Sequence, residues 1–135
     1  MLSVQFKLPR RTVVKLVGDS QGECDFACVN LPHDDDAAEE IAVVMFSRTD
    51  GARRFIAANE LQGWLPAFIA YNELRELLSA CEQKKKALWG VVDFYNDERR
   101  QVVRSFRIES AIAAIDAANL ESDEPIFIEG HCFAM

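Results

Sequence analysis

Apolar and polar positions alternate through the first 31 residues in a way that predicts β-strands. The stretches "SVQFKL" and "TVVKLV" are rich in strand-forming residues and are separated by Pro9-Arg10-Arg11, and "CDFACV" follows the turn-like residues 18–22. The next apolar run, "IAVVMF" at 41–46, is unbroken, which is typical of a buried strand. We therefore expect several N-terminal strands and then a central buried one.

Helical spacing follows in "SRTDGARRFIAANEL", where Ser47 or Thr49 is the expected N-cap and the inner face is Ala52, Phe55 and Ile56. The segment "GWLPAFIAY" (63–71) predicts a further strand, and Pro66 places that strand at a sheet edge or a bulge.

The clearest helix is "NELRELLSACEQKKK", with acidic residues in its first turn and lysines in its last. Asn72 is its expected N-cap. Its apolar positions at i, i+3, i+4 and i+7 are Leu74, Leu77, Leu78 and Cys81. A later helix, "ESAIAAIDAANL", is expected to be capped near Ser110, with Ile112 and Ile115 facing inward.

Between these two helices, "ALWGVVDFY" and "RQVVRSFRI" flank a turn-forming segment and predict a β-hairpin. A turn on Asp97-Glu98 pairs Tyr95 with Arg100, Asp93 with Val102 and Val91 with Arg104. One face then carries Trp89, Val91, Asp93, Tyr95, Arg100, Val102, Arg104, Phe106 and Ile108. Asp93 and Arg104 become close enough to pair, either as a charged group in a cleft or as an ordinary cross-strand ion pair.

A last short strand is expected at 125–130, before a tail at 131–135. The element order is thus N-terminal strands, then strand, helix, strand, helix, hairpin, helix and strand. This order predicts a mixed α+β fold in which helices pack on one sheet. The length of 135 residues is that of one domain, so a single domain over 1–135 is expected.

The formal net charge of −7 and the scattered basic pairs argue against nucleic-acid binding, which needs lysines and arginines clustered against phosphates. The longest apolar run is far shorter than the roughly 20 residues that span a bilayer, and the start lacks the apolar core of a signal peptide. We therefore expect no membrane association and a cytoplasmic protein whose cysteines are reduced.

No cofactor or metal ion is expected. The sequence contains neither the P-loop nor the glycine-rich dinucleotide motif. Cys24 and Cys28, on one extended strand, would hold their sulfurs roughly 13 Å apart, whereas a zinc ion needs bonds of about 2.3 Å.

A thiol-dependent hydrolase is the alternative from the enzyme class. It would pair Cys132 with His33, or Cys28 with His131, if the fold brought them together. His131 and Cys132 themselves, as neighbours on an extended chain, point to opposite sides. No local nucleophile motif supports this alternative.

The stretch "LPHDDDAAEE" (31–40) resembles a metal site, but Asp36 and Glu39 have the spacing of a capping box that starts a short helix. His33 is then a loop residue. Further acidic positions fall at 19–25 and 121–124. If these loops shared one face they would attract a basic partner, and otherwise they supply solubility.

Residues 41–116 resemble the SseB-like N-terminal domain. The matching pattern is "IAVVMFSRTDGARRFIAANE", then "GWLPAFIAYNELRELLSACEQKKKALWGVVDFY", a hairpin and "IESAIAAI". Within it, Phe46-Ser47, the run from Leu74 to Leu78, and Gly90-Val91-Val92 correspond to the family's elements. The resemblance implies a small accessory or interaction domain, of proteins linked to secretion or serine sensitivity, without established catalytic residues.

These observations favour a non-catalytic accessory or protein-interaction domain. The candidate binding residues are Trp64, Trp89, Asp93, Tyr95 and Arg104, with Phe68 and Phe94 added if the fold leaves them exposed. A pocket for a small molecule between sheet and helices is a further alternative, and a homo-oligomer is compatible with the composition.

Overall fold

A computed structural model describes residues 2–16, 24–31, 40–84, 89–95, 100–118 and 124–134, which form nine strands and three helices. The strands are β1 (Leu2–Lys7), β2 (Arg11–Leu16), β3 (Cys24–Phe26), β4 (Cys28–Leu31), β5 (Glu40–Phe46), β6 (Trp64–Phe68), β7 (Trp89–Val92), β8 (Val102–Arg107) and β9 (Phe127–Ala134). The helices are α1 (Thr49–Ala58), α2 (Tyr71–Lys84) and α3 (Ile108–Ala117).

All nine strands belong to one mixed sheet, so the predicted α+β fold is confirmed. The main path is β1-β9-β8-β7-β5-β2-β3, with β4 also paired to β5 and β6 to β2. In the described sheet, β5 and β7 run parallel and the other pairs are antiparallel. The predicted order from β5 onward, with its two helices before the β7–β8 pair, is also confirmed.

Strand β5 is the centre of the sheet. The five side chains from Ala42 to Phe46 are completely buried, because helices cover both faces of the strand. One edge of β5 pairs with β7, and the other edge is shared by β4 and the first residues of β2. An unbroken apolar run is what a strand with no solvent face requires.

The strands fork beside Val44. Strand β2 pairs with β5 only through Arg11 and Thr12. Beyond Thr12, Ala27 replaces β2 as the neighbour of β5. The Ala27 carbonyl accepts from the Val44 N–H at 3.1 Å, and the Ala27 N–H donates to the Val13 carbonyl at 2.9 Å. The buried Thr12 hydroxyl donates to the Val44 carbonyl at 2.7 Å, and so supplies a hydrogen bond at the point where the backbone ladder separates.

The fork also explains why "CDFACV" is two strands and not the single one that the sequence predicts. Residues 24–26 pair with β2, whereas residues 28–31 pair with β5, and Ala27 joins the two ladders. A second correction concerns the C-terminus, where residues 131–134 continue β9 and do not form a tail. His131 and Cys132 pair with both β1 and β8, and Phe133 and Ala134 pair with β8.

The sheet curls strongly. Residues 8–10 alone connect β1 to β2, although β9, β8, β7 and β5 lie between those strands. Five flat-sheet spacings would amount to about 24 Å, whereas the connection reaches at most about 14 Å. Leu8 and Pro9 cross the core between β1 and β2 and are buried there. The Leu8 N–H donates to the Ile126 carbonyl at 2.7 Å.

Two apolar clusters lie on opposite faces of the sheet. The larger is covered by α2 and α3 and includes Phe6, Leu8, Met45, Leu74, Leu78, Cys81, Phe106, Ile108 and Ile115. The smaller is covered by α1 and includes Val13, Val44, Phe46, Ala52, Phe55, Val91 and Phe94. The inner faces predicted for the three helices are confirmed.

An exposed ion pair between Arg75 and Asp116 joins α2 to α3, and its hydrogen bond lowers the pKa of Asp116.

The predicted N-caps are wrong. Helix α1 has Arg48 at its N-cap and no side-chain cap bond, because the Ser47 and Thr49 hydroxyls bond to Asp93 and Arg11 instead. Helix α2 begins one residue before Asn72, and α3 begins at Ile108, before Ser110. In both helices the first residue, Tyr71 or Ile108, is buried. Burial of that side chain therefore determines where the helix begins, and the preference of Asn72 or Ser110 for the N-cap position does not.

The hairpin register is shifted by one residue from the prediction. Val91 lies opposite Ser105, and Val92 lies opposite Arg104. The physical reason is Gly90, which faces Phe106: a Cβ on Gly90 would lie only 2.1 Å from the Phe106 ring. A shift of one residue moves side chains to the other face, so Arg104 and Phe106 lie on the face opposite to Val91. The predicted turn at 97–98 lies outside the described residues.

Replacing Thr12 with valine should destabilise the protein by about 1–2 kcal/mol, because the shape is kept while the bond to the Val44 carbonyl is lost. Urea unfolding of the wild type and Thr12→Val measures this difference directly. An unchanged or higher free energy of unfolding in the variant would show that the hydroxyl does not stabilise the fork.

Candidate functional site

Asp93 and Arg104 meet at the end of β7, and their predicted ion pair is confirmed at 2.9 Å between Oδ2 and Nη2. Asp93 has a left-handed backbone, with φ of 54°, which ends β7 at that residue. Its Oδ1 accepts from the Ser47 N–H at 3.0 Å, and Oδ2 also accepts from the Ser47 hydroxyl at 2.6 Å. The carboxylate therefore ties the segment after β5 to the end of β7.

This geometry supports the structural interpretation of the pair. The Asp93 carboxylate already accepts three hydrogen bonds from the protein. The Arg104 side chain lies on the face of the sheet that α2 and α3 cover, with its guanidinium carbon 5.3 Å from the centre of the Phe6 ring. Sequence reasoning found Asp93 and Arg104 but missed Ser47 as their partner, since no local pattern places two strand ends together.

Tyr95, another predicted binding residue, packs against the apolar cluster that α1 covers. Its ring centre lies 6.0 Å from that of Phe46, and the Arg54 guanidinium lies 4.1 Å above it. A Cβ on Gly51 would lie 2.5 Å from the Tyr95 hydroxyl oxygen, so a larger residue at position 51 would displace that hydroxyl. The Gln101 side chain bonds both the N–H and the carbonyl of Tyr95.

Trp89 begins β7, roughly 13 Å along the strand from Asp93, so these two predicted residues do not share a site. The guanidinium of Arg107 lies 4.9 Å from the Trp89 ring centre, and the His131 ring centre lies 6.4 Å away. The indole Nε1 is buried and has no hydrogen-bond acceptor among the described residues. Trp89 is thus a packing residue at one end of the sheet.

Trp64 lines a cavity of about 320 Å³ between α1 and the strand fork. The other lining residues are Ala27, Cys28, Val29, Phe55, Asn59, Leu61 and Phe94. The walls are mostly apolar, and the volume is near the lower end of what small-ligand sites have. Of the aromatic residues predicted to bind a partner, Trp64 and Phe94 contact this cavity.

The described geometry removes one of the two proposed thiol–histidine pairs. Cys28 lies opposite Val43 and packs against the cluster under α2 and α3. His131 lies opposite Ser105, which itself lies opposite Val91 of the α1 cluster, so Cys28 and His131 are on opposite faces of the sheet. Cys132 and His131 are consecutive in β9 and face opposite sides. His33, the other proposed partner of Cys132, lies outside the described residues. Cys132 is half-buried, and Cys81 packs in the core as expected.

Several expectations concern segments that the structure does not describe. They include the capping box of Asp36 and Glu39 and most of the acidic positions at 19–25, 34–40 and 121–124. Among the described residues, no three His, Cys, Asp or Glu side chains are grouped to hold a metal ion. Within the same residues, no helix is both long and apolar enough to pass through a membrane.

The most exposed aromatic side chain of the described chain is Phe68, at 60%. It lies opposite Arg11 in the β2–β6 pair. Two guanidinium groups border its ring, that of Arg10 at 4.5 Å and that of Arg11 at 4.9 Å from the ring centre. We call these three residues the Phe68 surface.

From the sequence alone, Phe68 is one of several aromatic candidates and Arg10-Arg11 is one of several scattered basic pairs. The fold brings them together because β2 and β6 are antiparallel and adjacent. The signal available in the sequence was a pair of arginines at the start of one strand and an aromatic residue at the end of another. That signal becomes specific only once the pairing is known.

Comparisons of this chain with protein-family profiles, with curated proteins and with solved structures found no match.

Proposed function

We propose that this chain is a non-catalytic accessory domain that binds another protein through the Phe68 surface. The observation that carries the proposal is an exposed aromatic ring held between two arginines on an edge strand. Aromatic and arginine side chains are enriched among the residues that dominate protein–protein binding energy. The resemblance to the SseB-like N-terminal domain, which implies an interaction domain, belongs to the same proposal.

The apolar area on β6 is larger than Phe68 alone. Leu65, on the other face of the strand, is 58% exposed. Single exposed apolar residues are common on protein surfaces and need no explanation. Because Leu65 faces the other side of β6, it lies outside the Phe68 surface, and the two arginines beside Phe68 are the more specific feature.

The edge of β6 favours binding through side chains and disfavours strand addition. In the described sheet β6 pairs only with β2, which confirms the predicted edge position of Pro66. The Ile69 N–H donates to the Arg10 carbonyl and therefore faces β2. Since backbone groups face alternate edges of a strand from one residue to the next, the backbone nitrogen of Pro66, three residues earlier, faces away from β2. The missing N–H therefore faces the open edge, where an added strand would need a donor.

Phe68→Ser should abolish retention of a specific partner by the immobilised protein in a native lysate. The matched control is Val102→Ser, which changes an equally exposed apolar residue, 68% exposed, on β8. Retained proteins would be identified by mass spectrometry, with folding of both variants checked by thermal unfolding. A partner held equally by the wild type and both variants, or held by none, would contradict the proposal.

A second candidate function is binding of a small apolar molecule, and the cavity beside Trp64 is the observation that favours it. A compound that occupies this cavity should raise the unfolding temperature of the wild type but not that of Val29→Phe, since the larger side chain fills the space. A screen of small aromatic compounds by thermal shift measures this. Equal shifts in both proteins would show that the compounds bind elsewhere.

A further inference from the structure

We propose that the partner presents an acidic segment to the Phe68 surface, with carboxylates on Arg10 and Arg11 and an apolar side chain against the Phe68 ring. This inference rests on the proposed function and specifies the chemistry of the partner. It differs from the expectation of a basic partner, which depends on acidic loops that lie mostly outside the described residues.

Arg10 is held in place before any partner binds. Its Nε donates to the Ile69 carbonyl at 3.0 Å. Its guanidinium carbon lies between two rings, 4.5 Å from the centre of Phe68 and 4.3 Å from that of Tyr71. These contacts leave the terminal nitrogens of Arg10 as the donors that can face a carboxylate, in the planar fork that suits bidentate pairing.

Arg11 is fixed in the same way by different groups. Its Nε donates to the Thr49 hydroxyl at 3.1 Å, and its Nη1 donates to the Ser47 carbonyl at 3.2 Å. These bonds hold Arg11 against the start of α1 and direct the rest of the guanidinium toward Phe68. Since both arginines are already ordered, little further side-chain entropy is lost when a partner binds.

The charge around these arginines is not balanced within the described chain. No described carboxylate forms an ion pair with Arg10 or Arg11. The exposed Arg48 and Arg53 lie on and just before α1, and Asp50 is the one acidic residue lining the shallow depression beside Arg11. This is a local excess of positive charge on a chain whose net charge is −7, so an acidic segment fits here and a basic one is repelled.

Phe68 adds an apolar requirement. A purely acidic peptide would leave its ring in water, whereas an apolar side chain beside the carboxylates would cover it. Burial of apolar area contributes roughly 25 cal/mol per Å². The recognised segment therefore combines acidic residues with at least one apolar or aromatic residue, and its affinity falls as salt screens the exposed charges.

The test uses a short fluorescent peptide of Asp and Glu around one Leu-Trp pair, titrated with the full chain and followed by anisotropy. A matched peptide carries Asn and Gln in place of the acids. The wild type should bind the acidic peptide at least about tenfold more tightly than the neutral one, and Arg11→Glu should lose about tenfold or more in affinity. Higher salt should weaken the wild-type binding.

The control variant is Arg107→Glu, which reverses the charge of another exposed arginine stacked on an aromatic ring but far from Phe68. It should bind as the wild type does. Phe68→Ser, whose ring is mostly exposed, should weaken binding with little effect on folding, so the test does not depend on Arg11→Glu being stable. Thermal unfolding of each variant accompanies the titration.

Four results would overturn the inference. The first three are equal binding of the acidic and neutral peptides, equal losses in Arg107→Glu and Arg11→Glu, and tighter binding of a third peptide that carries lysines in place of the acids. A wild type that self-associates in sedimentation velocity, with Arg11→Glu monomeric, would assign the surface to a second copy and also overturn it. If the peptides fail but lysate capture still depends on Phe68, the acidic chemistry is wrong while the proposed function stands.

Discussion

The hydrogen bonds around Val44 are the constraint on which the rest of the structure depends. Strand β5 is buried on both faces, so each backbone group along it needs a partner inside the protein. At Val44 the neighbouring strand changes from β2 to β4, and Ala27 and the Thr12 hydroxyl supply the bonds that keep β5 paired through this change. The fork frees β2 beyond Thr12 to pair with β3, while β6 lies on its other edge.

The candidate surface follows from the fork. Because β2 remains paired with β5 through Arg11, that residue lies beside Phe46 at the end of β5 and can reach Ser47 and Thr49. Because β6 is antiparallel to β2, Phe68 lies opposite Arg11. The short connection from β1 then delivers Arg10 between Phe68 and Tyr71. The position of each guanidinium is thus a consequence of strand pairing.

Sequence patterns predicted the elements well where one periodicity dominates. The strand at 41–46, buried from Ala42 to Phe46, the stripe ending at Cys81 and the edge position of Pro66 are confirmed, because each depends on burial or on a missing N–H within one element. The hairpin register was wrong because it depends on Gly90 accommodating the Phe106 ring, a contact between elements. The fork at Ala27 and the Phe68 surface depend on strand order, which no local pattern encodes.

The hydrogen bonds of Arg10 and Arg11 order both side chains in the free protein, as the proposed recognition of an acidic segment requires. NMR relaxation and solvent exchange of the arginine Nε–H groups test this most directly. We predict restricted motion and slow exchange for Arg10 and Arg11, whose Nε atoms are hydrogen-bonded, and fast motion for the exposed Arg53. If the Nε–H groups of Arg10 and Arg11 are as mobile as that of Arg53, the claim is contradicted.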